Sequence, residues 1–174
     1  MKKMAGNHNI SDNELTHSMV HYLFTIHKLK EEKGYSRVTD IATELGLTKG
    51  SVSTAIKNLE KKRLVREDDE SKFLHLTDEA HLIVHDILSS RTLLYYFFKD
   101  FVGVSEEHAL KDACLIEHLL SNETREKFFN FMKNLSCHCG NQQQREFKTQ
   151  LDLCDYRSSH EFIEKQMGDT HLKL

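Results

Sequence analysis

A mostly α-helical fold with one short hairpin is what the 174-residue sequence predicts, and three observations carry it. Proline is absent and glycine occurs only seven times, so long helices can run without interruption. Apolar residues recur every three or four positions over most of the chain, the period of one helix face. Glycines and capping residues fall between these stretches and punctuate them. With 39% hydrophobic and 29% charged residues, the composition excludes collagen-like, low-complexity and disordered classes.

The elements follow in order. Ser11-Asp12-Asn13-Glu14 has the form of a capping box. Behind it Leu15, Met19, Tyr22, Leu23, Ile26 and Leu29 mark an amphipathic helix that stops at Gly34. Thr39 and Asp40 cap a short helix, Ile41 to Leu45, ended by Gly46. A further helix carries Val52, Ala55, Ile56 and Leu59 inward and ends near Lys61-Lys62-Arg63. Leu64-Val65-Arg66 and Phe73-Leu74-His75-Leu76 flank a charged stretch and predict a two-stranded hairpin, although its turn lacks Asn-Gly. A long helix spans about Glu79 to Phe101, its later half apolar nearly all round. Gly103 breaks it, Ser105-Glu106-Glu107 starts a helix through Leu120, and Asn122 starts another containing Phe128, Phe129, Phe131, Met132 and Leu135. Beyond Cys139-Gly140 helical spacing returns at Phe147, Leu151 and Cys154, and again at Phe162 and Met167.

Short helix, tight turn, second helix and charged hairpin together predict a winged helix-turn-helix. Such a second helix projects from its core to enter a major groove about 12 Å wide, while the hairpin reaches flanking phosphates. Its solvent face here is Thr48, Lys49, Gly50, Ser51, Thr54 and Lys57, with Asn58 beyond. Hydroxyls at the helix start suit phosphates and base edges, and Gly50 allows close backbone approach. The net charge of −3 supplies no global attraction to DNA, and Glu67, Asp68, Asp69 and Glu70 at the hairpin tip repel phosphate. A winged helix that binds only other proteins is therefore the alternative.

Twelve histidines stand out among the polar residues. Cys114, Glu117 and His118 are spaced i, i+3 and i+4, so thiolate, carboxylate and imidazole share one helix face and can hold a divalent transition metal. His81 and His85 share the same i, i+4 spacing. Cys137, Cys139 and Cys154 are candidates for a second metal or redox site.

Residues 20 to 135 resemble the diphtheria toxin repressor and manganese transport regulator family of metal-dependent repressors. The likeness runs through Tyr22-Leu23, Ile26, Arg37 to Ala42, Leu45-Gly46, Ser51-Val52-Ser53, Leu59-Glu60-Lys61, Leu64-Val65, Leu76-Thr77, Arg91, Asp112-Ala113-Cys114 and Glu117 to Ser121. It implies a homodimer with a winged helix-turn-helix over residues 1-80, a helical metal-binding and dimerisation domain over 81-140 and a helical tail over 141-174, with no SH3-like third domain. It also implies a metal held by His21 from the first helix with Cys114, Glu117 and His118. The family has methionine or a carboxylate where His21 stands, and its second site falls here on Thr92, Tyr96 and Leu110, so that site is lost or rebuilt from residues such as His17. Thiolate, imidazoles and one carboxylate suit Fe(II), Co(II), Ni(II) or Zn(II) better than Mn(II). The cysteine resembles the iron-responsive branch of the family, so Fe(II) is expected first, with Mn(II) second and Zn(II) as a further alternative.

The expected function is thus a metal-activated repressor of metal-uptake or homeostasis genes that binds a double-stranded DNA operator. Metal would fix the spacing of two reading helices near one turn of DNA, about 34 Å. The rivals are a redox or zinc sensor working through Cys137, Cys139 and Cys154, and a Mn(II)-responsive repressor. An enzyme is not expected, because no nucleophile triad, phosphate-binding loop or HExxH motif is present. No run approaches the ~18 apolar residues of a membrane span, and Met1 to Ser11 lacks a signal peptide's apolar core, so a cytoplasmic location is expected. In that compartment the four cysteines point to metal, redox or core roles rather than to disulfides.

Overall fold

The computed structural model describes residues 15–138 and 151–166. The chain divides into two compact units, Met1–Val84 and His85–Leu174.

In the first unit, α1 (His17–Lys33), α2 (Val38–Leu45) and α3 (Lys49–Lys61) precede an antiparallel hairpin of β1 (Val65–Glu67) and β2 (Leu74–Leu76), paired Val65 with Leu76 and Glu67 with Leu74. The capping box expected at Ser11 lies outside the described residues. The cap observed is Thr16, whose hydroxyl accepts the Met19 N–H at 3.3 Å. Gly34 ends α1 at φ 79° and Gly46 ends α2 at φ 64°, left-handed conformations that glycine adopts without a Cβ penalty. Val20, Leu23, Ile26, Leu29, Ile41, Val52, Leu59 and Leu64 are fully buried and form the core beneath α3.

The hairpin turn is built without Asn-Gly. The Asp68 carboxylate accepts the backbone N–H groups of Glu70 and Ser71 and the Ser71 hydroxyl, which folds the chain locally. Behind it, the Leu74 N–H donates to the Ser36 carbonyl at 2.8 Å, and the buried Ser36 hydroxyl donates back to the Leu74 carbonyl at 3.0 Å.

The long helix α4 (Asp78–Tyr96) passes from the first unit into the second. It does not continue regularly to Phe101, because Phe97–Val102 widens into a π-helical turn. Gly103, at φ 81°, lets the N–H groups of residues 103 and 104 both return to the Phe98 carbonyl. Next come α5 (Glu106–Ile116), a 3₁₀ turn (Glu117–Leu119), α6 (Asn122–His138) and α7 (Ser159–Gln166).

Leu93, Phe129, Met132, Leu151, Leu153, Phe162 and Ile163 make one buried cluster, and Leu94, Tyr95, Ala109 and Ala113 another. The segment expected to be helical around Leu151 and Cys154 is not helical over 151–154. Leu151 and Leu153 are buried while Asp152 and Cys154 are exposed, the alternation of extended chain. Phe147 and Met167 lie outside the described residues.

Candidate metal centre and nucleic-acid interface

The DNA-reading candidates sit on one exposed surface at the start of α3. Thr48, Lys49, Gly50, Ser51, Thr54 and Lys57 are all exposed. The Thr48 hydroxyl caps the helix by accepting the Ser51 N–H at 3.2 Å. Ser51 donates its hydroxyl to the Thr48 carbonyl at 2.8 Å, and Thr54 donates to the Gly50 carbonyl at 3.1 Å. Both hydroxyl oxygens keep acceptor capacity toward solvent. A Cβ at Gly50 would meet no protein atom within 4 Å, so nothing in the fold requires glycine there.

In the same unit, Tyr35 and Phe73 stack at 5.0 Å, and the Arg37 guanidinium lies 4.8 Å from the Phe73 ring centre. The stack pre-orders an exposed cation next to the hairpin. In the hairpin turn, Lys72 is paired with Glu67 at 3.4 Å.

The metal-ligand candidates fall in both units. In the first, His21 lies one turn beyond His17 on α1, with ring centres 4.3 Å apart in an edge-to-face contact. The i, i+4 spacing therefore brings two imidazoles together at the position where the sequence offers His21 as a ligand.

In the second unit, Cys114 belongs to α5, whereas Glu117 and His118 belong to the 3₁₀ turn that replaces the expected continuation of that helix. Arg91, on α4, organises them. Its Nη2 donates to Glu117 Oε1 at 2.7 Å and to Cys114 Sγ at 3.3 Å, while its Nε donates to Glu117 Oε2. Arg91 and Glu117 are 2% and 0% exposed. Burial pushes the Glu117 carboxyl up to about 7, against the opposing pull of Arg91. Burial also raises the Cys114 thiol, which Arg91 partly offsets.

The sequence reading placed Arg91 in the family likeness and missed this role. The available signal was a lone arginine in an otherwise uncharged run from Ile87 to Phe98, since a charge that enters a core needs a partner there. The donor set fits a divalent transition metal. One thiol and one carboxylate are gathered by a single guanidinium, imidazoles complete the candidate set, and both acidic donors can lose a proton on metal binding.

At the second family position, Thr92 is buried and donates its hydroxyl to the Leu88 carbonyl at 2.9 Å. Cys137 and Cys154 are joined in a disulfide, 17 residues apart in sequence, which corrects the expectation of unpaired cysteines. Leu151 and Leu153 anchor the returning chain, and the Leu153 N–H donates to Ser136, so Cys154 is delivered to the end of α6. A disulfide leaves no thiolate there for a metal. Cys139 lies outside the described residues.

Comparison with known proteins places this arrangement. A family model described as the iron dependent repressor N-terminal DNA binding domain matches residues 14–71, and one described as the iron dependent repressor metal binding and dimerisation domain matches 77–145. The HTH-type transcriptional regulator MntR of Geobacillus kaustophilus is 39% identical over 107 residues, covering 61% of this chain and 74% of that protein. Among solved structures, the hypothetical protein SSo2273 from Sulfolobus solfataricus superposes with a TM-score of 0.59 at 19% identity, over 70% of this chain and 92% of its own. The manganese regulator SloR does so with 0.58 at 21% identity, over 66% of this chain and 53% of its own.

The matched domains define a class, that of metal-dependent DNA-binding regulators rather than enzymes. The chain belongs to the diphtheria toxin repressor and MntR family of metal-dependent transcriptional repressors. Among the described residues, no helix is long and apolar enough to cross a membrane.

Proposed function

We propose that this protein is a cytoplasmic, homodimeric repressor of metal-homeostasis genes that answers to Fe(II). His21, Cys114, Glu117 and His118 would hold the ion, and Thr48, Lys49, Gly50, Ser51, Thr54 and Lys57 would read a double-stranded operator. The observation that carries the metal response is the buried Arg91 locus, which gathers the Cys114 thiol and both Glu117 oxygens around one guanidinium. When bound, the ion supplies a crosslink between donors of different helices. The exposed hydroxyls and Lys57 on α3 supply contacts to base edges and phosphates. Exposed Leu115 and Leu119 on the second unit, with Phe131, offer apolar surface to a second copy.

The preference for iron over manganese follows from donor softness, and its preference over cobalt, nickel and zinc from the iron dependent repressor descriptions of the matching family models. A thiolate with imidazoles suits Fe(II), whereas Mn(II) prefers more oxygen ligands. The manganese in SloR's name supports Mn(II) as the competing signal. The test is operator binding by the full chain and by His118→Ala, titrated without oxygen with Fe(II), Mn(II) and Zn(II). Fe(II) should raise affinity at the lowest free concentration, and His118→Ala should remove the response. A lower threshold for Mn(II) would reassign the metal, and affinity indifferent to metal and substitution would overturn the reading.

A second reading, redox control, is favoured by the Cys137–Cys154 bond. It requires operator affinity to change when hydrogen peroxide oxidises the two thiols to the disulfide, and the change to vanish in Cys154→Ser.

A further inference from the structure

Away from the candidate ligands already described, α1 and the early turns of the continuous helix α4 carry a second gathering of imidazoles. His27 projects from α1 and His81 from the first turns of α4, with ring centres 5.1 Å apart and planes 75° apart. Each offers a ring nitrogen within 4.8 Å of the other's. His85 follows His81 by one turn on the same helix, so α4 presents two imidazoles at the i, i+4 spacing that chelates metals on helices. His27 and His85 are buried while His81 is exposed.

We propose that His27, His81 and His85 form a second metal site, selective for a late divalent transition ion of the zinc class and separate from the Cys114/Glu117/His118 donors. All-imidazole donors suit Zn(II), Cu(II), Ni(II) and Co(II) and offer little to Mn(II), so the site differs in kind from a thiolate and carboxylate set. Two nitrogens on one tetrahedral ion at ~2.0–2.1 Å sit about 3.3 Å apart, so ligand atoms within 4.8 Å of one another need to close by at most roughly 1.5 Å, within reach of small side-chain torsions.

Metal binding requires neutral imidazole, and burial together with His81 and Lys30 lowers His27 to about 4, so the ring is in that neutral form at neutral pH. The exposure of His81 gives the ion an entry path and leaves a fourth position to solvent. Such an ion would brace α1 against the start of α4, the two helices that enclose the reading motif in sequence. The proposal does not depend on which metal drives repression.

The test uses the full chain and the metals alone. Dialysed against Zn(II), the native protein should retain two ions per protomer and His81→Ala one. In a His21→Ala/Cys114→Ser/His118→Ala background, Co(II) should give visible absorption bands without thiolate charge transfer. Adding His81→Ala or His85→Gln should then weaken Zn(II) binding by at least about 100-fold, beyond the usual loss from an outer-shell change. His81 is exposed, so its removal leaves the fold intact, which circular dichroism checks. Zn(II) stoichiometry unchanged by His81→Ala overturns the proposal, and so does a background variant that folds but binds no Co(II). Loss of metal-dependent operator binding in His118→Ala alone concerns the other site and leaves this one standing.

Discussion

Arg91 and Glu117, 26 positions apart in the chain, meet as a two-pronged ion pair sealed from solvent. Removing one partner strands a buried charge, which typically costs about 3–5 kcal/mol. Arg91→Leu should therefore destabilise the protein by about that amount in urea unfolding. Arg91→Leu/Glu117→Leu should recover much of the loss, because the uncompensated charge goes with its partner. A single substitution within ~0.5 kcal/mol of native would show that the pair does not hold the second unit together.

Gly50 separates folding from reading. Its missing side chain faces no protein atom, so Gly50→Ala should leave stability unchanged or raise it by up to about 1 kcal/mol. Operator affinity should fall on the order of tenfold, about 1.4 kcal/mol, if DNA backbone or bases approach this position closely. Thermal melting and operator binding on the same sample decide it, and unchanged affinity would place the DNA elsewhere.

Acid should weaken the first unit through His27. Its folded value of about 4 lies below the ordinary histidine value of 6.5, so between these values the unfolded chain binds a proton that the native chain refuses. The stabilisation is complete above 6.5 and declines as pH falls toward 4, by an amount on the order of 3 kcal/mol for a shift of this size. Glu117, raised by burial from its ordinary 4.5 to about 7, contributes the opposite slope over the same window. The His27 contribution is therefore read as the difference in slope between metal-free native protein and His27→Gln, both unfolded in urea across pH 4 to 7.

Leu119 is 71% exposed and Leu115, one turn earlier, 48%. Leu119→Glu should leave helix content and melting of the monomer unchanged while shifting association toward monomer by more than about tenfold, since it places charge where apolar contact is expected. Sedimentation equilibrium measures the shift. An unaltered dimer would move the interface away from this turn.

The winged helix was legible because glycines carry its geometry. Gly34 and Gly46 both take the left-handed conformation that ends a helix, so their positions marked α1 and α2. The hairpin's charge was legible but its turn was not, since Asp68 shapes the backbone through side-chain hydrogen bonds that no dipeptide signature announces. In the second unit, periodicity found α5 and α6 but missed the π turn at Phe97–Val102 and the 3₁₀ turn at Glu117–Leu119, where backbone bonding changes without any change in residue type. Leu151 and Cys154 suggested a helix because three-residue spacing fits one, whereas Leu151 and Leu153 are the pair that the core takes up. The disulfide was hidden for the same reason: its pairing depends on where that segment returns. Of the candidate site, Cys114, Glu117 and His118 were offered by their spacing and His21 by the family resemblance, whereas the role of the guanidinium that gathers Cys114 and Glu117 was announced by neither.

The reciprocal hydrogen bonds between Ser36 and Leu74 give the hairpin a mechanical footing in the loop ahead of α2. The hairpin is thus tied to the loop two residues before the helix-turn-helix begins and also to the end of α3, where the Leu64 N–H donates to the Leu59 carbonyl at 3.0 Å. A displacement of the hairpin would therefore reach both ends of the helix-turn-helix together, so DNA flanking an operator would change the angle of approach while leaving the exposed side chains of α3 in place.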